Sequence, residues 1–394
     1  MSLDGGPLRG VLVADFTRVL AGPLASMFLA DLGATVIKVE RPGGGDDTRT
    51  WGPPYVGSMS TYFASVNRNK RSVVLDLSLG SDAALARTLA CRADVLLENF
   101  RPGRLAGFGL DTQALRKDNP GLVYGSISGF GGDSDIPGYD FVVQAVGGLM
   151  SITGHPEQPT KVGVALVDVL TGLHATIAVL AALRERERTG LGQHVEVNLL
   201  SSLLASLVNQ GTAYVNGAGV PTAMGNQHPS IAPYETLTTR DRPIAVAVGN
   251  DRQFATLCAA LDRHELAQDE RFATNSARVQ HRADLVTELQ TTLKTDSAST
   301  WTQRLQAAGL ACGPVNDLAT AFGLAADLGL APVAHFDDAA VATLASPLRL
   351  NNSPVEYHRP PPPLGADTAE VKQWLSGDPT ASLSSELNQA GDRK

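Results

Sequence analysis

The run from Lys161 to Gly192, KVGVALVDVLTGLHATIAVLAALRERERTGLG, constrains the fold more than any other stretch. It is almost wholly apolar for more than twenty residues, holds a single acid, Asp168, and then turns sharply into RERER. Its length would suit a membrane span. A carboxylate near the centre of such a span costs about 3 kcal/mol, and no second apolar run of this length exists to form a bundle with it. The pattern therefore predicts strand or loop up to Asp168, then a buried helix over about 171–188 with Gly190 as its C-cap. No membrane partner is expected.

Asp168 then lies just before a helix N-terminus, where backbone N–H groups and the helix dipole favour its ionised form. Two readings stay open on position alone. Asp is a preferred N-cap residue, which would make it structural. A carboxylate with an ordinary pKa near 3.9 is also anionic at neutral pH. It can attack an activated acyl group without a general base and form a covalent intermediate.

Around this run the chain alternates. GVLVADF (10–16) reads as a buried strand, 23–32 as a helix with Pro23 in its first turn, and ATVIKVE (34–40) as a second strand. Such a βαβ unit implies parallel strands and a right-handed crossover. The G-x-G-x-x-G dinucleotide fingerprint is missing after the first strand. The alternation continues with strand 72–77, helix 81–93, strands 94–100 and 123–130, helix 140–150 and strand 194–199. A mostly parallel α/β domain follows. A loop-like segment (216–233) leads to strand 243–249 and helices over 252–261, 277–294 and 299–308. These suggest a smaller α+β domain. The expected division is a large domain from 1–200, a linker over 201–224, a small domain over 225–320 and a return segment over 321–394, with a short helix after the proline run.

With 394 residues, 43% hydrophobic and 18% charged, the chain has the composition of a soluble globular protein. A net charge of −8 argues against a nucleic-acid partner, which requires a basic footprint. Cys91, Cys258 and Cys312 are scattered, with neither disulfide nor zinc spacing, so no metal is expected and a reducing cytoplasm fits. The N-terminal residues carry no apolar signal core.

Several stretches, in order from near residue 8 to about 375, resemble the family III CoA-transferases and the related α-methylacyl-CoA racemases. They are DFTRVLAGP (15–23), GATVIKVERPGGGD (33–46), NKRSVVLDL (69–77), DVLLENFRPG (94–103), the Asp168 run through TGLGQHVEV, GNQHPSIAPYETL (225–237) and PLGADT (363–368). The resemblance implies a Rossmann-like large domain built from both ends of the chain, a small middle domain, and an interlocked homodimer. It also implies that Asp168 is the nucleophile, which attacks an acyl-CoA thioester and passes through an anhydride and an aspartyl-CoA thioester to an acceptor carboxylic acid. Coenzyme A is then a substrate, and no permanent cofactor is implied.

By the same resemblance, Arg41 contacts the nucleotide end of CoA, Val19, Lys70, Arg71, Asn99 and Phe100 lie near the cofactor, and Tyr139 and Asp140 belong to a functional stretch. Arg101 and Arg104 are added from charge alone, because an acidic protein must gather cations locally to hold a polyanion. Racemases of the group carry a His beside the Asp where this chain has Tyr139, and a phenol with a pKa near 10 is a poor base at neutral pH. A racemase, or a CoA-binding protein without catalysis, remains the alternative. Formyl-CoA transferases have Gln where this chain has Leu20 and a glycine run where it has GNQHP, so a formate or oxalate specificity is not expected. A family arginine is replaced by Gly107, with Arg104 nearby.

Overall fold

The computed structural model describes residues 6–132, 134–337 and 339–377. Short runs rich in β-branched and aliphatic residues form six strands: β1 (Leu12–Asp15), β2 (Thr35–Glu40), β3 (Lys70–Val74), β4 (Val95–Glu98), β5 (Val123–Ser128) and β6 (His194–Asn198). They pair in the order β6-β5-β4-β1-β2-β3, and every pairing is parallel. Successive side chains alternate between two buried faces, which is why these strands read as continuous apolar runs. Ala14, Ile37, Val73 and Leu96 face one core together with Leu89 and Trp374. Val13, Val36, Leu97 and Val123 face the other, against Leu29 and Val179.

The connecting helices that bear on the site are α1 (Ala21–Asp31), α2 (Gly80–Arg92), α3 (Asp140–Val146) and α4 (Leu166–Thr189). Although α4 is long and apolar enough for a membrane span, half of its most apolar stretch is buried in this fold. Val167, Thr171, Ala175, Val179 and Ala182 form its inner face. It packs tightly on the N-terminal end of α1, because a Cβ on Gly172 would meet the Ala21 carbonyl oxygen at 2.7 Å. The helix ends as expected, at Gly190 with φ 72°. Its start lies about five residues earlier than the sequence suggests.

This order is that of a doubly wound nucleotide-binding sheet. The order in which the strands are added reverses between β1 and β4, and ligands of such sheets bind beyond the carboxyl ends of the strands at that switch point.

One compact unit contains residues up to Leu149, Lys161–Gly219 and those from Ala331 on; the other contains Met150–Thr160 and Val220–Leu330. The helix Thr368–Ser376 returns to the first unit, burying Val371, Trp374 and Leu375 beside α2. Residues 378–394 of the expected return segment lie outside the described residues. After the strand ending near 199 the sequence also suggests a helix running on to about Val215, and the chain is helical across Leu199–Ser206 and Val208–Val215, with the first unit extending to Gly219.

The second unit has an antiparallel sheet of β7 (Tyr234–Thr238), β8 (Pro243–Ala247) and β9 (Ala311–Pro314), covered by helices around Phe254, Phe272, Leu289 and Trp301. The helix expected over 277–294 is broken at His281 into Asn275–Gln280 and Arg282–Leu293. Within this unit Arg282 donates to the carbonyls of His228 (2.7 Å) and Ile231 (3.0 Å) and pairs with Glu235 at 2.9 Å. The GNQHP loop is thereby pinned at its base. His228 accepts from Ser230 N–H at 3.1 Å, a turn role.

Candidate active site

Asp168 lies in the first turn of α4, three residues after the N-cap Ala165, and is 9% exposed. It is not the cap. That role belongs to Asp140, 28 residues earlier, whose Oδ1 accepts from Val167 N–H at 2.7 Å and from Asp168 N–H at 3.3 Å. Gln144 donates to the other oxygen of Asp140 at 2.7 Å and accepts from Val162 N–H at 2.9 Å. A remote cap leaves no local signal, which is why the sequence places the helix start too late and gives Asp168 the capping role. Asp140 therefore positions the helix that carries Asp168.

The Asp168 carboxyl itself has no hydrogen-bond or ion-pair partner among the described residues. Burial and the neighbouring charge of Asp140 push it up to about 7. The direction is opposite to that expected of an anion stabilised by a helix end, and removal from water is its larger cause. Asp168 opens onto a cavity of about 310 Å³. The cavity lies at the switch point, walled by the loops after β1 (Arg18 to Ala21), after β4 (Asn99 to Pro102) and after β5. The last loop folds back tightly: a Cβ on Gly129 would meet Gly138 Cα at 2.6 Å. No histidine is among the residues lining the cavity.

Tyr139 lines this cavity and is 55% exposed. Val19 lines it with φ 72°, a strained left-handed conformation for a β-branched residue. Its N–H donates to Asp46 at 3.2 Å. Asn99 ties two walls together, accepting from Arg18 N–H at 2.9 Å and donating to Arg18 O at 2.7 Å. Phe100 carries the Arg18 guanidinium on its ring at 5.1 Å.

Arg41 and Arg104 do not reach the Asp168 cavity. They line a second one of about 220 Å³, with Phe108 and Leu77. Arg18 and Phe100 line both cavities. Arg41 pairs with Asp47 and is half exposed, and Arg104 stacks on Phe108 at 5.3 Å.

Lys70 and Arg71, expected near the cofactor, line neither of these two cavities. Lys70 is fully buried; it donates to Asp15 (3.1 Å), Pro23 O (2.9 Å) and Asn67 (2.9 Å). Burial pushes it down to about 8 despite Asp15. Asp15 also accepts from Thr17 and Ser26, and Lys38 bridges Thr17 O (2.8 Å) and Asp46 (2.9 Å). This network fixes the loops after β1 and β2 beneath the cavities. Burial disfavours the Asp15 anion, but Lys70 and Lys38 outweigh it and lower its pKa. Arg71 is tied to the C-terminal helix region through Asp367 (3.3 Å) and Glu370 (3.2 Å).

Sequence reasoning missed Tyr62 and Arg18. Burial, then the charges of Asp168 and Asp140, raise the Tyr62 phenol to about 12, so it keeps its proton at neutral pH. Its only local signal is the helix cap at Ser60, which accepts from Tyr62 N–H at 3.1 Å.

The family description CoA-transferase family III matches residues 8–368. The chain is 42% identical over 384 residues to a succinate–glutarate CoA-transferase of Agrobacterium fabrum, covering 93% of this chain and 94% of that one. It is 41% identical over 324 residues to an acetyl-CoA:oxalate CoA-transferase of Acetobacter aceti, covering 81% of this chain and 83% of that one. A crystal structure of a CaiB/BaiF family protein from Brucella suis superposes with a TM-score of 0.84 at 41% identity, covering 95% of this chain and all of that one.

Proposed function

This chain belongs to CoA-transferase family III and is a CoA-transferase, and from that premise we propose that Asp168 carries the acyl group and then CoA between two carboxylic acids. The observation that supports this most is a nearly buried carboxyl without a partner, opening onto a cavity at the switch point. An Asp168 oxygen attacks the thioester carbonyl; the C–S bond breaks, leaving a mixed anhydride and CoA thiolate. The thiolate attacks the aspartyl carbon, releases the donor acid and forms an aspartyl-CoA thioester. The acceptor carboxylate attacks that thioester, freeing the thiolate and forming a second anhydride. The thiolate then takes the acceptor acyl group and leaves Asp168 as a carboxylate. Burial protects both anhydrides from water.

Arg41 and Arg104 hold the anionic nucleotide end of CoA in the second cavity, and the pantetheine arm passes Arg18 and Phe100. The names of the similar proteins each include a short dicarboxylic acid, succinate and glutarate in one and oxalate, with acetyl-CoA, in the other. Leu20 lines the Asp168 cavity and offers no hydrogen bond to a tiny acid. This favours acids of the succinate and glutarate size over formate or oxalate. We also propose a homodimer. Leu318 (78% exposed), Val215 (76%), Val208 (67%) and Ile177 (63%) leave apolar surface that a second copy would cover; a monomer in light scattering at micromolar concentration would overturn it.

The mechanism is tested with an acceptor acid labelled with oxygen-18 in its carboxylate. Turnover should leave label in the Asp168 side chain, read by peptide mass spectrometry, and Asp168→Ala should abolish transfer. Label on another carboxylate, or more than a few per cent of activity in the variant, would sink the mechanism.

A further inference from the structure

Val19 is the strained point in the wall of the Asp168 cavity. It is left-handed at φ 72°, and Arg18, Leu20 and Ala21 beside it line the same cavity. A β-branched residue in that conformation is disfavoured about tenfold to a hundredfold, and it persists only where surrounding contacts impose it. Glycine, which adopts it freely, stands at Gly22 and not here. The turn also sets where α1 begins, because Leu20 O accepts from Leu24 N–H at 2.8 Å.

The contact that imposes it comes from another loop. Asp46 follows β2 and is 1% exposed. Its Oδ1 accepts from Val19 N–H at 3.2 Å, from Thr48 N–H at 3.0 Å and from the Thr48 hydroxyl at 2.8 Å. Its Oδ2 pairs with Lys38 at 2.9 Å, and Lys38 donates in turn to Thr17 O at 2.8 Å. Asp46 thus reaches the loop after β1 twice, directly at Val19 and through Lys38 at Thr17. Its own backbone is held by Glu40, which accepts from Asp46 N–H at 3.0 Å. Burial disfavours the Asp46 anion, but Lys38 and the Thr48 donors outweigh it and keep its pKa below the ordinary carboxylate value. Asp46 is therefore an acceptor at neutral pH. Asp47, the next residue, lines the Asp168 cavity, so the segment that clamps Val19 is itself part of the wall.

We propose that Asp46 is a positioning residue for transfer: it holds the left-handed turn at Val19, and that turn sets the wall against which substrate meets Asp168. This rests on the Asp168 cavity being the place of transfer. Asp46 makes and breaks no bond in the reaction and acts through Val19.

Removing Asp46 alone would strand the buried Lys38 cation, so the test is made in Lys38→Met, where Lys70 still pairs with Asp15. Lys38→Met/Asp46→Asn keeps an acceptor for Val19 N–H, and Lys38→Met/Asp46→Leu has similar volume and none. With succinyl-CoA and glutarate as probes, kcat/KM per folded protein should be about tenfold to a hundredfold lower in the second. A further acceptor-free variant, Lys38→Met/Asp46→Ala, should match it. Adding Val19→Gly to each removes the strain that the clamp opposes, and the Asn-to-Leu exchange should then cost less than about threefold. An Asp46 that serves stability alone moves the urea midpoints and leaves that ratio the same with and without Val19→Gly. A loss unchanged by Val19→Gly, or no loss at all, would overturn the assignment. With oxygen-18 label present at Asp168 in wild type, either result fails the clamp and leaves the mechanism standing. Absence of that label fails the mechanism, and the clamp with it.

Discussion

Replacing Asp168 with Asn should abolish transfer and yet make the protein more stable at neutral and alkaline pH. The folded protein holds this carboxyl near 7, against an ordinary value of 3.8. Between about pH 4 and pH 7 the native state therefore binds a proton that the unfolded state has released. Stability then falls as pH rises through that window, because its slope follows the protons bound by the unfolded state minus those bound by the native state. Three pKa units at 1.36 kcal/mol each give about 4 kcal/mol, an upper bound that water entry and relaxation reduce to roughly 2–4 kcal/mol. Asn carries no charge at any pH and avoids this cost. The difference in stability between Asp168→Asn and wild type should grow in favour of the variant by that amount from pH 4.5 to pH 8. Urea midpoints of both proteins at four pH values measure it, and any pH-independent cost of the amide drops out of the slope. A simple N-cap anion would have a lowered pKa and give the opposite sign. A difference that stays flat, or that grows in favour of wild type, would refute the electrostatic account of the site.

The other expectations test the surroundings. Asp140→Asn keeps an acceptor for Val167 N–H but removes the charge, so the midpoint of kcat/KM against pH, expected near 7 in wild type, should move down; an unmoved midpoint would clear Asp140 of any electrostatic role. Arg41→Ala should raise the KM for acyl-CoA with little effect on kcat, because the residue lines a cavity remote from Asp168; a fall in kcat alone would remove Arg41 from the nucleotide site. Lys70→Met strands the buried anion of Asp15 and should cost about 3–5 kcal/mol in denaturant unfolding. Material that folds should keep its KM for acyl-CoA, and a selective rise in that KM would return Lys70 to the cofactor site.

The architecture was largely legible because parallel strands buried on both faces are continuous apolar runs, and six of them are separated by helix-length segments. Where legibility failed, partners distant in sequence decided the outcome. The third strand begins at Lys70, two residues before the expected start, since a lysine reads as exposed until Asp15, 55 residues away, neutralises it. The ion pairs of the NKRS motif with Asp15 and Asp367 were hidden for the same reason: charge is visible in a sequence and its partner is not. The strand Tyr234–Thr238 went unseen because Glu235 interrupts it, and that acid is buried only through Arg282.

At the site, motif and residue type point to Asp168 as the proposed nucleophile but not to its protonation state. A carboxylate near 3.8 is fully ionised at neutral pH and weakly basic. One near 7 is only about half ionised, but the ionised fraction is a stronger base and nucleophile, and a pKa near the operating pH balances the two. Here the shift is produced by burial first and then by Asp140, whose hydrogen bonds go to the backbone of Val167 and Asp168 and not to the Asp168 side chain, which is left without a donor. The activation therefore comes from what the fold withholds, and no residue type at any spacing could have announced it.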